Sequence, residues 1–383
     1  MISAEEYELL AGEAVTRAVA ENRDRDPVAV ALDARVPHAR LVATQVKYLA
    51  RAAAKLPTYV AAQCILPPLA FEQASSERCA LRKRIGGDAV LDLTCGLGVD
   101  AFALSRRFGR VVTLERDPIL ACVARENFRR LGISNAEVVT SSAEAYLART
   151  QERFDWVYAD PDRRSATGRK LVRLEDCSPS VPALLPAIRR VSDRLCLKNS
   201  PLFDVDEALR LFPRSRVEVV SLDGECKEVV VYDDGTGPAL TATALGSDDR
   251  SFTARPGAAA PSPDAFDPDR YRWLTVPDAA LQKARLARLH LAEKADIWSD
   301  NGFGFSADRP ENAMGRVWEI AAIEPYDPRR LKRELKGRGA TILKRDFPLS
   351  ADEIMRRTGL RPGDEVRLAF TKIDGRFWTV RLK

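Results

Sequence analysis

The sequence predicts an α/β protein: a seven-stranded, largely parallel sheet, preceded by a helical region and followed by a second, smaller α/β domain. Three observations carry this. Ala89-Val90-Leu91-Asp92-Leu93 is a short apolar run bounded by Gly86-Gly87 and Gly96, the pattern of a strand buried on both faces. From there to residue 233, apolar runs alternate with helical periods, which is how successive β-α-β units read. The alternation closes on two β-branched runs flanking Asp223-Gly224, the signature of an antiparallel hairpin. The seven strands fall near 89–93, 110–114, 136–139, 155–159, 192–198, 216–222 and 226–233.

The first 85 residues read as helical. Ser3 and Glu6 form a capping-box pattern, and Tyr7, Leu9, Leu10, Ala14, Val15 and Ala18 follow at helical spacing. Asp26-Pro27 opens a second helix that Pro37 ends, and a third covers about 39–56. The segment 69–77 then leads to the first strand. In it Ser75 or Ser76 can serve as a helix cap.

Residues 86–235 make the main α/β domain, and 236–314 a linker and connecting segment, rich in Gly, Pro, Ser and Asp around 255–263. A short strand near 240–245 and a helix near 278–292 interrupt it. Residues 315–383 read strand, helix, strand, helix, strand, strand. Asp327-Pro328 and Ser350-x-x-Glu353 start the two helices, and Asp374-Gly375 turns the last hairpin.

Composition excludes several classes of function. The chain has 383 residues, 45% hydrophobic and 30% charged, and no apolar run long enough to span a bilayer. Its seven Cys are at least fifteen positions apart, which speaks against zinc and disulfides and for a reducing cytoplasm. The N-terminus is acidic and polar, unlike a signal peptide. His38 and His290 are the only histidines, too few for histidine-based metal or triad chemistry, so no metal is expected. Net charge is +5, but residues 315–383 alone hold 17 basic and 10 acidic side chains. Such an excess suits a nucleic-acid-binding module, or a merely solvated basic face.

The turn Asp92-Leu93-Thr94-Cys95-Gly96-Leu97-Gly98 sits between the first strand and a helix. Gly96 and Gly98 supply backbone without a Cβ where a ligand approaches, and the helix N–H groups point back at the turn. Glu115 ends the second strand 23 positions after Asp92, where a carboxylate can accept both hydroxyls of a ribose. No third glycine follows, so the dinucleotide pattern is not met. The fourth strand ends in Asp160-Pro161-Asp162-Arg163-Arg164 and the fifth in Lys198-Asn199-Ser200-Pro201. Both loops belong to the same carboxyl-end crevice.

The turn resembles motif I of class I S-adenosylmethionine-dependent methyltransferases. Together with the loops after Tyr158 and Leu197 and the last 69 residues, it resembles the family with a THUMP-like C-terminal domain. The resemblance covers roughly 65–383 and implies a seven-stranded Rossmann-like methyltransferase sheet with S-adenosyl-L-methionine as cofactor. It implies that Asp92, Thr94, Cys95, Gly96, Gly98, Glu115 and Asp160 line the cofactor, with Ala143 and Glu144 bracketing its adenine. Gln73 and Ser76 would sit at its amino-acid end. Methyltransferases of exocyclic amines carry (Asp/Asn)-Pro-Pro-aromatic at the fourth strand tip. Asp160 and Pro161 match its first two positions; Asp162 and Arg163 do not. Arg163 suits a base or a phosphate, or an ion pair with Asp162. Asp160, Pro161, Asp162, Arg163 and Lys198 are the expected catalytic residues.

The function expected is methyl transfer to RNA rather than DNA, through N-methylation of a base, in the cytoplasm. One alternative is a methyltransferase of a protein or small molecule. The other is a nucleic-acid-binding module without catalysis.

Overall fold

The computed structural model describes residues 2–162 and 174–383. The chain divides into two compact units, residues 1–216 with 229–237, and residues 217–228 with 238–383.

The first unit begins with seven helices: α1 (Ala4–Ala11), α2 (Glu13–Asn22), α3 (Pro27–Leu32), α4 (Ala39–Ala52), α5 (Pro57–Ala61), α6 (Pro68–Gln73) and α7 (Glu77–Arg82). Ser3 and Glu6 close the capping box on α1, each accepting the other's backbone N–H, at 3.1 and 2.9 Å. Asp26 caps α3 and Pro27 takes its first turn, where a missing N–H costs nothing. Val42, Val46 and Leu49 repeat along α4 and are buried in one apolar cluster with Phe71, Leu97, Phe102 and Val123.

Two side-chain amides fix the stretch before α6. Asn127 accepts the Ile65 N–H at 2.7 Å and donates to the Ile65 carbonyl at 3.0 Å. Gln45 does the same for Leu66, at 2.9 and 3.3 Å. Extended backbone that has no neighbouring strand is thereby satisfied from both sides.

Next come β1 (Gly87–Asp92), α8 (Val99–Ser105), β2 (Phe108–Glu115), α9 (Pro118–Arg130), β3 (Ala136–Thr140), α10 (Ala143–Arg149), β4 (Trp156–Ala159), α11 (Val181–Val191), β5 (Leu195–Asn199) and α12 (Val205–Leu211). β6 (Arg216–Leu222), β7 (Glu225–Asp233), β8 (Ala239–Leu245) and β9 (Arg250–Ala254) follow. Among the described residues the first sheet runs β3-β2-β1-β4-β5-β7-β6-β8-β9. β3, β2, β1, β4 and β5 are parallel, and β7 is antiparallel to β5. Val90, Val111, Trp156, Tyr158 and Cys196 fill its core. Between β6 and β7, Asp223 and Gly224 both take positive φ, +54° and +82°, as an Asp-Gly hairpin turn requires.

Among the described residues this sheet has nine strands, where seven are expected. The short strand expected near 240–245 forms as β8, and 250–254, which composition assigns to the linker, forms β9 beside it, paired antiparallel from Leu240 with Ala254 to Ala244 with Arg250. Ala-Leu-Thr-Ala-Thr-Ala-Leu is apolar enough to bury Leu240, Ala242 and Leu245, but its small side chains give little hydrophobic contrast.

The second unit continues with β10 (Trp273–Pro277), α13 (Ala279–Lys283), α14 (Ala287–Leu291), β11 (Gly304–Ser306), β12 (Gly315–Pro325), α15 (Pro328–Leu335), β13 (Gly339–Lys344), α16 (Ala351–Thr358), β14 (Arg361–Pro362), β15 (Val366–Ile373) and β16 (Arg376–Leu382). Its sheet runs β11-β10-β12-β16-β15-β13-β14. Leu331, Leu335 and Ile354 pack α15 and α16 against Ala340, Leu368 and Phe370. Leu274, Phe305, Ile320 and Val380 belong to a second cluster, which Phe266 and Trp298 join. The proline-rich stretch is held down: Arg288 donates to the Pro261 carbonyl at 3.2 Å and the Trp298 indole to that of Asp264 at 3.1 Å. No helix among the described residues is long and apolar enough to cross a membrane.

Candidate active site at the strand tips

The carboxyl ends of β1, β2, β4 and β5 are adjacent in the sheet, and hydrogen bonds lace their tips together. Asp92, the last residue of β1, is fully buried. It accepts the Thr94 N–H at 2.9 Å, the Thr94 hydroxyl at 3.2 Å and the Thr113 hydroxyl of β2 at 2.6 Å. Burial pushes its carboxyl up to about 7 against the pull of these donors. The Thr94 hydroxyl also accepts the Asp160 N–H at 2.7 Å, which ties the β1 turn to the tip of β4.

Gly96 and Gly98 share a turn but have different reasons to be glycine. Gly96 has φ +55°, and a Cβ there would meet nothing within 4 Å, so its face is open to a ligand. A Cβ on Gly98, at φ +84°, would lie 2.6 Å from the Phe128 ring, so Gly98 makes room for the core. Gly98 thus has a packing reason of its own to be glycine. Cys95 joins the turn through its backbone: its N–H donates to the Leu114 carbonyl at 2.8 Å, while its thiol is buried in the core of the strands.

Glu115 faces the turn. It accepts the Gly96 N–H at 2.9 Å with one oxygen and the Asp117 N–H at 2.9 Å with the other. Burial raises its pKa, and those two N–H groups oppose the rise. Each oxygen keeps a second lone pair for a further donor. At the next tip, the Ser141 N–H donates to the Glu115 carbonyl at 3.0 Å. This brings the start of α10 alongside, with Ala143 buried and Glu144 exposed.

Asp160 is partly buried and ion-paired with Lys198 of β5. Burial raises the Asp160 pKa and the ammonium pulls it back. Pro161 is buried. Asp162 exchanges backbone hydrogen bonds with Ser178, at 2.8 and 3.0 Å. Arg163 and Arg164 lie outside the described residues. Ser200 accepts the Leu202 N–H at 3.4 Å and Asp204 caps α12, so that loop closes as a turn.

Upstream of β1, Gln73 is exposed at the end of α6. Ser76 caps α7 through the Cys79 N–H at 3.3 Å. Ser75 is the residue that points inward: its hydroxyl donates to Asp100 at 2.6 Å, and Lys83 lies 3.4 Å from the same carboxylate. These three were not expected. Their one sequence signal is a charged residue in the first turn of a helix that otherwise reads Val-x-Ala-Phe-Ala-Leu. Among the described residues, no three His, Cys, Asp or Glu side chains are grouped to hold a metal.

The chain resembles known proteins over its whole length. A family described as THUMP domain-like matches residues 315–382, and one described as conserved hypothetical protein 95 matches 77–173. Two Mycobacterium tuberculosis proteins, both named as uncharacterised S-adenosylmethionine-dependent methyltransferases, are 28% identical over 337 residues, 84% of this chain and 90% of theirs. Ribosomal RNA small subunit methyltransferase J of Coxiella burnetii is 30% identical over 130 residues, 30% of this chain and half of that protein. A solved structure from Porphyromonas gingivalis W83, described as a methyltransferase, shares the fold. It superposes with a TM-score of 0.81 over 100% of this chain and 99% of its own, at 24% identity. With a glycine turn open at Gly96 and an acidic tip at Glu115, these likenesses support a class I S-adenosylmethionine-dependent methyltransferase with a THUMP-like C-terminal domain.

Proposed function

We propose that this methyltransferase modifies RNA at a base nitrogen and that its reaction centre is the Asp160–Lys198 pair at the tips of β4 and β5. The observation that carries the reading is the continuity of the tips: Gly96 bonds Glu115, Thr94 bonds Asp160, and Asp160 pairs with Lys198. Five strands in the order β3-β2-β1-β4-β5, closed by the β6–β7 hairpin, support the seven-stranded methyltransferase core, to which β8 and β9 are an addition.

The residues present fit the cofactor. Open space faces Gly96, Glu115 has lone pairs for ribose hydroxyls, and the Thr94 and Cys95 backbone shapes the turn. Asp92 holds that turn through Thr94, and Ala143 and Glu144, at the start of α10, are assigned to the adenine. S-adenosylmethionine supplies a methyl group on a sulfonium. The task left to the chain is alignment, because a neutral leaving group needs little acid–base help. Asp160 accepts a hydrogen from the attacking amine and turns its lone pair toward the methyl carbon. Lys198 fixes the Asp160 carboxylate, and the buried Pro161 sets the direction of the loop.

RNA as the substrate is supported by the basic excess of residues 315–383 and by the description of some relatives as ribosomal RNA methyltransferases. Arg330 and Arg381 are bound by Glu324 and Glu334, Arg338 and Arg361 by Glu365, and Lys383 by Glu319. Arg329, Lys332 and Lys336 around α15, and Arg356 and Arg357 on α16, are exposed, and no ion pair engages them among the described residues. The two helices pack against each other, which keeps these cations on neighbouring elements. The setting that suits this work is the cytoplasm.

The test is calorimetric titration with S-adenosylmethionine of the wild type, Gly96→Arg and Glu115→Ala, followed by tritium transfer to bulk cellular RNA, DNA and protein. Binding lost in both variants, with label entering RNA, is the expected result. Label entering protein alone would overturn the substrate assignment.

A further inference from the structure

One more bond joins the strand tips, and it skips a strand. β1 lies between β2 and β4 in the sheet, so residues beyond the tips of β2 and β4 stand two strand spacings apart, about 10 Å. Across that span Arg116, which follows Glu115, donates from Nη1 to the Ser178 hydroxyl at 2.9 Å. Arg116 is exposed, and the Ser178 hydroxyl is its guanidinium's only hydrogen-bond partner among the described residues.

Both ends of the bond are held by their neighbours. On the β2 side, Glu115 accepts the Gly96 and Asp117 N–H groups, and Asp117 caps α9 through the Ile119 and Leu120 N–H groups at 2.9 and 3.1 Å. On the β4 side, Ser178 exchanges backbone bonds with Asp162, and Cys177 and Pro179 on either side of it are buried. A surface arginine gives up side-chain freedom in such a bond, so the bond adds little to the stability of the fold.

With it, the tips close into a circuit. Gly96 bonds Glu115, Arg116 bonds Ser178, Ser178 bonds Asp162, and Asp160 bonds Thr94, two positions from Gly96. The circuit passes beyond the tip of β1, where the strand order reverses: β2 and β3 lie to one side of β1, β4 and β5 to the other. In open α/β sheets that reversal is where ligands bind. The face of Gly96 on which a Cβ would meet nothing belongs to the same circuit.

We propose that Arg116 and Ser178 are positioning residues that form a bridge across the β1 tip and hold S-adenosylmethionine in its site. The inference rests on the cofactor site at Gly96 and Glu115 given above. Glu115 and Arg116 are consecutive, so one turn carries both the carboxylate assigned to the ribose and the side chain that spans to the β4 loop. The bridge opens for the cofactor to leave and closes behind it on entry. Its effect is on the rate of exchange, and neither partner acts without the other.

The experiment is a chase of tritiated S-adenosylmethionine from the whole chain by excess unlabelled cofactor, in Arg116→Ala, Ser178→Ala, the double variant and Ser178→Thr. Each alanine variant is expected to release the label about three- to ten-fold faster than wild type, the range set by one exposed, charge-assisted hydrogen bond. The double variant is expected to release it no faster than the single variants, and Ser178→Thr, which keeps the hydroxyl, at the wild-type rate. Unchanged release in both alanine variants, or effects that multiply in the double variant, would overturn the bridge. A bond serving the fold alone would instead lower the unfolding midpoint of the ligand-free protein and leave release unchanged. Glu115→Ala separates the two readings. Wild-type binding in that variant removes the cofactor from this site, whereas lost binding there, with unchanged release from Arg116→Ala and Ser178→Ala, sinks the bridge alone.

Discussion

At the scale of single residues, two glycines two positions apart show what a sequence reveals and what it hides. Gly98→Ala drives a methyl group into the buried Phe128 ring at positive φ and is expected to lower stability by about 3 kcal/mol, read from urea unfolding. Gly96→Ala adds a methyl to open space and is expected to cost about 1 kcal/mol of stability, while S-adenosylmethionine affinity falls at least about ten-fold by calorimetry. Equal losses of stability would contradict the division of roles. The motif marks both positions as glycine, but the ring that excludes a side chain at Gly98 comes from α9, 30 positions on. For the same reason Asp92, Gly96, Glu115 and Asp160 were legible as strand-tip residues, while the Ser75–Asp100–Lys83 cluster was not. Lys83 and Ser75 lie 17 and 25 positions before Asp100, in no recurring spacing.

At the scale of elements, caps and turns were the most legible features, because each depends on neighbours in sequence. The box at Ser350–Glu353, the cap at Asp327 and the Asp374-Gly375 turn all form where their residue types require. β9 was harder to see than β8, which is expected near 240–245: Arg-Ser-Phe-Thr-Ala fits a strand but announces none. The clamp on Ile65 and Leu66 was illegible for a stronger reason: Gln and Asn read as surface residues until a buried backbone needs them. Asn127→Leu leaves the Ile65 N–H and carbonyl buried without their partner and is expected to cost about 2–4 kcal/mol. Thermal unfolding of that variant, compared with an exposed control such as Glu144→Gln, measures it. A loss under about 0.5 kcal/mol would show that water replaces the amide.

At the scale of the whole molecule, the basic excess of residues 315–383 was visible in composition, but the carboxylates that cancel part of it were not. Glu324, Glu334 and Glu365 neutralise the cations nearest to them and leave the α15–α16 face to set the field. If that face meets RNA, affinity falls linearly with the logarithm of salt, and Lys332→Glu with Lys336→Glu flattens the slope by about one unit for each phosphate no longer neutralised. The paired Arg338→Glu is expected to change the slope less. Filter-binding titrations between low and moderate salt compare the two, and equal slopes would place the RNA on another face.

The amide clamp also sets an order of events while the chain is being made. Helices α1–α7 leave the ribosome before α9, carrying Gln45 and the backbone of Ile65 and Leu66, but the other jaw is Asn127, 62 positions after Ile65. Until α9 is synthesised, the stretch before α6 has half its partners, and the helices that depend on it stay open to exchange and to chaperones. They become native only once the glycine turn and the second strand have been made, so the cap of the catalytic sheet is translated before its support and completed after it.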